Sequence, residues 1–199
     1  MLSTTLILSL PLITLAAPIA SDLKPWEIST LSTHSPSGRS GNAPYSSLFV
    51  TITDPNTIPL GKTRYGEAAF PPSAANCTAR WNSYAGEDPF GQIIPCEVEN
   101  FNSGRWTMEI QKANATGNGA SATRDFKLRF GLEESMILDE GIVSKRFVGT
   151  GGFAVGENLG IVCGGSGVCS TWLKEEGRPW LVGQEVRDTR CLVGVCQGV

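Results

Sequence analysis

The chain has 199 residues, a formal net charge of −3 and an isoelectric point near 5.2, and only 18% of its residues are charged. That balance, with no basic stripe, argues against nucleic acid and anionic membrane as partners. The length allows one domain with a real core, and 23 glycines with 12 prolines suit a turn-rich all-β domain without being concentrated enough for a disordered linker.

Met1 to Ala20 contains no charged residue, and all six cysteines lie downstream of it. The apolar run Leu6–Ala16 has the length of a signal-peptide core and is too short to span a bilayer. Thr14-Leu15-Ala16 places small residues where a signal peptidase reads them, so cleavage is expected after residue 16, with residue 20 as the alternative. Residues 17–199 then form a single secreted β domain in an oxidising compartment, where disulfides persist. No later apolar run reaches membrane-spanning length.

Period-2 alternation dominates the rest. Trp26–Thr33 is the first strand expected, followed by the loop Ser35–Tyr45. Leu48, Val50 and Ile52 share one face of a strand that ends at Asp54-Pro55-Asn56. Asn76–Trp81 and Gln92–Val98 follow. Trp106, Met108 and Ile110 alternate with Arg105, Thr107 and Glu109. Phe126, Leu128, Phe130 and Leu132 alternate with Lys127 and Arg129. The polar stretch from Asn114 to Ser121 joins these last two as a hairpin. Met136–Asp139, Ile142–Val148, Gly152–Val155, Gly160–Cys163, Ser170–Leu173, Trp180–Val186 and Cys191–Val195 complete the series. No window carries a helical stripe. About ten short strands predict a disulfide-stapled antiparallel β-barrel or sandwich.

The cysteines fall into two groups. Cys77 and Cys96 form the expected bridge of the first, closing a loop of about 20 residues worth about 3 kcal/mol. Cys163, Cys169, Cys191 and Cys196 pair among themselves. Either crossed pairs tie the C-terminal strand to the body, or local pairs, Cys163–Cys169 and Cys191–Cys196, form. The spacings C-x5-C and C-x4-C do not suit a zinc site, and a single histidine rules out zinc held by two or three histidines. No metal or cofactor is expected.

No catalytic set assembles in the sequence. His34, the only histidine, precedes a Gly/Pro/Ser loop, and there is no G-x-S-x-G. Glu97 with Glu99, Glu133-Glu134, Asp139-Glu140 and Glu175-Glu176 are carboxylate pairs, but a glycosidase needs two carboxyls facing each other across a scissile bond. Same-strand pairs more often face water. Gly149-Thr150-Gly151-Gly152 reads as a turn or bulge between strands, and Gly164-Gly165-Ser166-Gly167 as the loop between two cysteines; neither precedes a helix or carries a P-loop lysine. Trp106 falls in the core face of an alternating strand, and Trp26 and Trp81 sit in strand-like contexts. Trp172 and Trp180 flank a polar segment and are the best candidates for ligand-surface aromatics. Asn114-Ala115-Thr116 is a glycosylation sequon in a loop, and Asn76-Cys77-Thr78 is a second one around a bridged cysteine. Lys145-Arg146 is a dibasic pair within an apolar strand and is expected to stay uncut.

Several motifs carry a resemblance: Trp26-Glu27-Ile28, the strand from Ser46 to Asn56, Cys77-Thr78-Ala79-Arg80-Trp81, and Pro95-Cys96 ahead of Gly104-Arg105-Trp106. In order and spacing they resemble small secreted proteins of filamentous ascomycetes, the "cell death in tomato" type, and the Alternaria major-allergen-like family. The match covers Trp26 to Ile110. The cysteines from Cys163 to Cys196 depart from the pattern, and no cysteine precedes Cys77. The resemblance implies a disulfide-stapled antiparallel β-barrel, secretion, and a role without enzymatic activity at the plant–fungus interface. The expectation is therefore a secreted, non-catalytic effector or elicitor, acting in the apoplast or at the fungal surface on a host protein or a cell-wall polysaccharide. A lectin-like or glycosidase wall protein is the alternative.

Overall fold

The computed structural model describes residues 23–98, 104–113, 120–139 and 141–194. The leader with its cleavage sites, Glu99, Glu140, Asn114 and Cys196 lie outside these residues. The described chain is all-β, with fourteen strands and one 3-10 turn, Glu175–Gly177. In chain order the strands are β1 Trp26–Ser35, β2 Tyr45–Asp54, β3 Ile58–Thr63, β4 Gly66–Phe70, β5 Ser73–Asn82, β6 Ile93–Pro95 and β7 Glu97–Val98. Then come β8 Arg105–Lys112, β9 Asp125–Leu138, β10 Gly141–Ala154, β11 Leu159–Cys163, β12 Cys169–Leu173, β13 Trp180–Val182 and β14 Gln184–Gly194.

The strands form two open antiparallel sheets, so the barrel alternative gives way to a sandwich. The first sheet has the order β11-β12-β1-β2-β5-β7, with β13 also pairing with β1. The second has the order β14-β10-β9-β8-β6, and β3 and β4 form a separate hairpin. The alternation read from sequence fills the space between the sheets. Trp26, Ile28, Leu48, Val50 and Ile52 of the first sheet meet Trp106, Met108, Ile110, Phe126, Leu128, Phe130 and Leu132 of the second, all fully buried. The Trp26 and Trp106 rings lie 4.8 Å apart at an interplanar angle of 59°, the tilted geometry aromatic pairs favour. The indole N–H of Trp106 donates to Ser73 Oγ at 3.1 Å, so this buried donor is satisfied.

Several strands are longer than the sequence signal. Met136–Leu138 of the expected Met136–Asp139 strand is the end of β9, and Ile142–Val148 merges with the segment after it into β10; β9 and β10 each run 14 residues. Gly149-Thr150-Gly151-Gly152 is not a turn between strands but the middle of β10. Its glycines admit close crossing: a Cβ at Gly149 would come within 2.7 Å of Gly183 O and 3.0 Å of the Trp26 ring. Cys191–Gly194 of the expected Cys191–Val195 strand belongs to β14, which starts at Gln184, while Val195 lies outside the described residues, and Trp180–Val186 spans two strands. The β3–β4 hairpin has no clean alternation because a register shift falls between Pro59 and Gly61. It packs Leu60 and Phe70 on Val143, Met136 and Leu138, forming a second, smaller core beyond the main one.

Cys77–Cys96 forms as expected and joins β5 to the segment between β6 and β7. Cys163 pairs locally with Cys169, six residues on, across the β11–β12 hairpin. The crossed pairing of these two with Cys191 and Cys196 is therefore corrected: their opposition in the hairpin register brings their Cα atoms to 4.1 Å. Cys191 is also disulfide-bonded.

Candidate binding face

The outer faces of the two sheets differ in kind. Residues directly opposite in neighbouring strands share a face, so the registers define rows across each sheet. On the second sheet one row reads Arg105, Glu133, Arg146, Asp188, alternating in sign across β8, β9, β10 and β14. Beside it, Arg129 lies 3.5 Å from Glu109. This face is a solvated charge ladder, and Arg146 of the dibasic pair is one rung, held in a strand paired on both sides.

The outer face of the first sheet has an uncharged centre. One row reads Gly160, Trp172, Ser32, Phe49, Thr78 across β11, β12, β1, β2 and β5. The next reads Val162, Ser170, His34, Ser47, Arg80. Beyond Arg80, Tyr45 pairs with Asn82, and the Arg80 guanidinium lies 3.9 Å from the centre of the Tyr45 ring. On the other side, Thr51 donates to Asn76 Oδ1 at 2.8 Å. Trp172 keeps 40% and Phe49 37% of its surface exposed. The face thus carries aromatic rings separated by hydroxyls and amides.

Trp172 is held in place by a glycine. A Cβ at Gly160 would come within 2.8 Å of the Trp172 Cε2 atom and 3.0 Å of its Nε1. The indole is therefore laid against β11 rather than standing free, which removes much of the rotamer entropy a binding partner would otherwise have to freeze. Two strand spacings separate Trp172 from Phe49, about 10 Å.

The structure does not bring Trp172 and Trp180 together. Trp180 pairs with Ile28, whose side chain faces the core, and its ring packs 6.4 Å from Phe153. Trp172 pairs with Ser32 on the opposite face. The partner of Trp172 is instead Phe49, which the sequence reading missed. Alternation around Leu48, Val50 and Ile52 already placed Phe49 outward, and an outward phenylalanine in a regular strand was the available signal. His34 is half-buried between Ser47 and Ser170 on this same face. Asn76 of the second sequon also lies there, in the middle of β5 and bonded to Thr51.

The carboxylate pairs do not assemble. Glu97 is exposed on the two-residue edge strand β7. Glu175 and Glu176 are exposed in the 3-10 turn. Asp139 accepts hydrogen bonds from the Arg64 backbone N–H and, at 2.9 Å, from its guanidinium Nε; these hold its carboxyl below the usual range. Glu133 faces out into the charge ladder, while Glu134 faces in and is only 3% exposed. Burial, reinforced by the negative charge of Asp54, pushes the Glu134 carboxyl up to about 8. Asp54 is itself buried and accepts from the Asn56 backbone N–H at 2.9 Å and from Asn56 Nδ2. Lys145, opposite Glu134 on β10, is partly buried, which depresses its ammonium below the usual range. Among the described residues no group of three or more His, Cys, Asp or Glu side chains is arranged to hold a metal ion.

No protein-family model, no curated protein and no solved structure matches this chain. Among the described residues no helix is long and apolar enough to cross a membrane, and the disulfides fit an oxidising compartment.

Proposed function

We propose that the protein is a secreted, non-catalytic binding protein that lays the outer face of its first sheet on an extended cell-wall polysaccharide. The observation that carries this reading is the row Trp172–Ser32–Phe49, with Trp172 pinned over Gly160. A pyranose ring offers an apolar face of C–H groups and a rim of hydroxyls. It stacks on an aromatic ring while neighbouring hydroxyl and amide side chains take its rim. In a flat β-1,4-linked chain every second sugar presents the same face, and two strand spacings, about 10 Å, match that disaccharide repeat.

The uncharged centre supports a neutral glycan over an acidic one. That the carboxylate pairs read from the sequence do not face each other across a cleft supports binding without hydrolysis. The sequence resemblance supports the setting: an effector-like role at the host–fungus interface, with the wall as the surface engaged.

Purified protein incubated with insoluble cellulose, chitin and β-1,3-glucan tests the reading. Co-sedimentation with a β-1,4-linked polymer, with no release of reducing sugar, is expected. Release of reducing sugar would make the protein a hydrolase, and retention on none of the three would remove the polysaccharide as its target.

A further inference from the structure

Glu134 stands where the two hydrophobic cores meet. On the inner face of β9 the order is Leu132 in the main core, then Glu134, then Met136 against the small core. On β10 the same register gives Phe147, Lys145 and Val143. Glu134 and Lys145 thus set two ionisable groups between the two apolar clusters. Among the described residues Glu134 has no ion-pair partner within 4 Å, and its Oε1 is buried with no hydrogen-bond partner. An unpaired buried carboxyl oxygen costs stability unless something else occupies it.

Beside it lies a cavity of about 710 Å³, bounded by the end of β4, the start of β8 and the outer half of β9. Phe70, Pro71, Met136 and Ile137 give it apolar walls, and Arg105, Glu133 and Glu134 line it as charged groups. Arg105 is opposite Glu133 in the ladder and Lys145 is opposite Glu134, but among the described residues no cation lies within ion-pair distance of Glu134. Gly104, at φ +70°, packs its backbone closely on the Glu134 side chain: a Cβ there would come within 2.8 Å of Glu134 Cγ.

We infer that this cavity binds a small organic cation, an apolar or aromatic body carrying a protonated amine, whose ammonium pairs with Glu134. The apolar walls take the body, and the ammonium pairs with the Glu134 carboxyl. Asp54 adds negative potential from the side of β2, and Lys145 on β10 opposes it. Arg105 on β8 and Glu133 on β9 stand opposite each other in the register and line the cavity with charges of opposite sign. Because burial raises Glu134 to about 8, its carboxyl is protonated at neutral pH, and pairing with an ammonium releases one proton from it to solvent.

The test uses 2-phenylethylamine and its neutral counterpart 2-phenylethanol as probes, followed by calorimetry and by the Met136 and Ile137 methyl signals in NMR. At pH 8.5 the amine is expected to bind at least tenfold more tightly than the alcohol and to shift both methyl signals. Its affinity is expected to weaken toward a limit of about tenfold per pH unit as the pH falls below 8. Glu134→Gln removes both the preference and the pH dependence, and Lys145→Met, which deletes the competing cation, tightens the amine. Equal binding of amine and alcohol, binding of neither, or an amine preference that survives Glu134→Gln would overturn the assignment.

Discussion

The indole of Trp172 rests on Gly160, the residue directly across from it on β11, with no room for a Cβ between them. The contact converts an exposed tryptophan into a fixed platform. Gly160→Val should therefore act on binding without touching the polysaccharide. It lifts the indole off β11, and affinity for a β-1,4-linked oligosaccharide is expected to fall about tenfold while the circular dichroism spectrum keeps its β signature. Titration of the variant beside the parent protein reads this directly.

The two described disulfide pairs should differ in worth. Cys77 is fully buried and its bridge spans 19 residues of sequence, against six for Cys163–Cys169. Loop-closure entropy gives about 3 kcal/mol for the first and about 2 kcal/mol for the second. Replacing Cys77 and Cys96 by serine also puts hydroxyls into the core, so that double variant should lose more than the entropy figure. Denaturant midpoints of the two double variants are expected to rank in that order.

Stability should decline with rising pH across the neutral range. Glu134 is raised to about 8 in the folded state and has an ordinary carboxyl in the unfolded one. Between those values the native chain holds a proton that the unfolded chain has released, so each pH unit costs folding up to about 1.4 kcal/mol. The full stabilisation is present below about pH 4.5 and is lost as the pH rises through 8. Glu134→Gln, which never ionises, should flatten the profile and unfold at a higher denaturant concentration than the parent at pH 8.

A buried hydroxyl cluster pins β1 and β12 to the turn before β9. Thr33 Oγ1 donates to Thr123 O at 2.9 Å and lies 2.7 Å from Thr171 Oγ1, which also reaches Thr123 O at 3.2 Å. Thr33→Val keeps the shape and removes one member, for an expected loss of about 1–2 kcal/mol in chemical denaturation. Thr171→Val should cost a similar amount, and the double variant less than the sum, because the two share an acceptor.

Much of the sandwich was legible because burial on one face writes a period of two into the chain. Leu48, Val50 and Ile52, Trp106, Met108 and Ile110, and Phe126 to Leu132 all landed in the core as read. The signal failed where charge or glycine sits inside a strand. Glu133-Glu134 looked like an end to β9 because a buried carboxyl at the seam of two cores has no apolar letter. Gly149 to Gly152 looked like a turn because their small size serves the crossing of Trp26 and Val182 rather than a bend. The binding face was half legible. Trp172 stood out by composition, but its partner depends on strand order, and no local pattern says that β12 and β2 both flank β1.

The central claim rests on Trp172 as a binding platform, and one measurement reaches it most directly. A soluble β-1,4-linked glucan oligosaccharide is titrated calorimetrically into the parent protein and into Trp172→Ala, with thermal unfolding of both recorded alongside. The account predicts that the parent binds and that the variant binds at least about tenfold more weakly with an unchanged unfolding midpoint, the loss expected when a central aromatic anchor is removed. Equal affinity in parent and variant, or no binding by the parent, would contradict it.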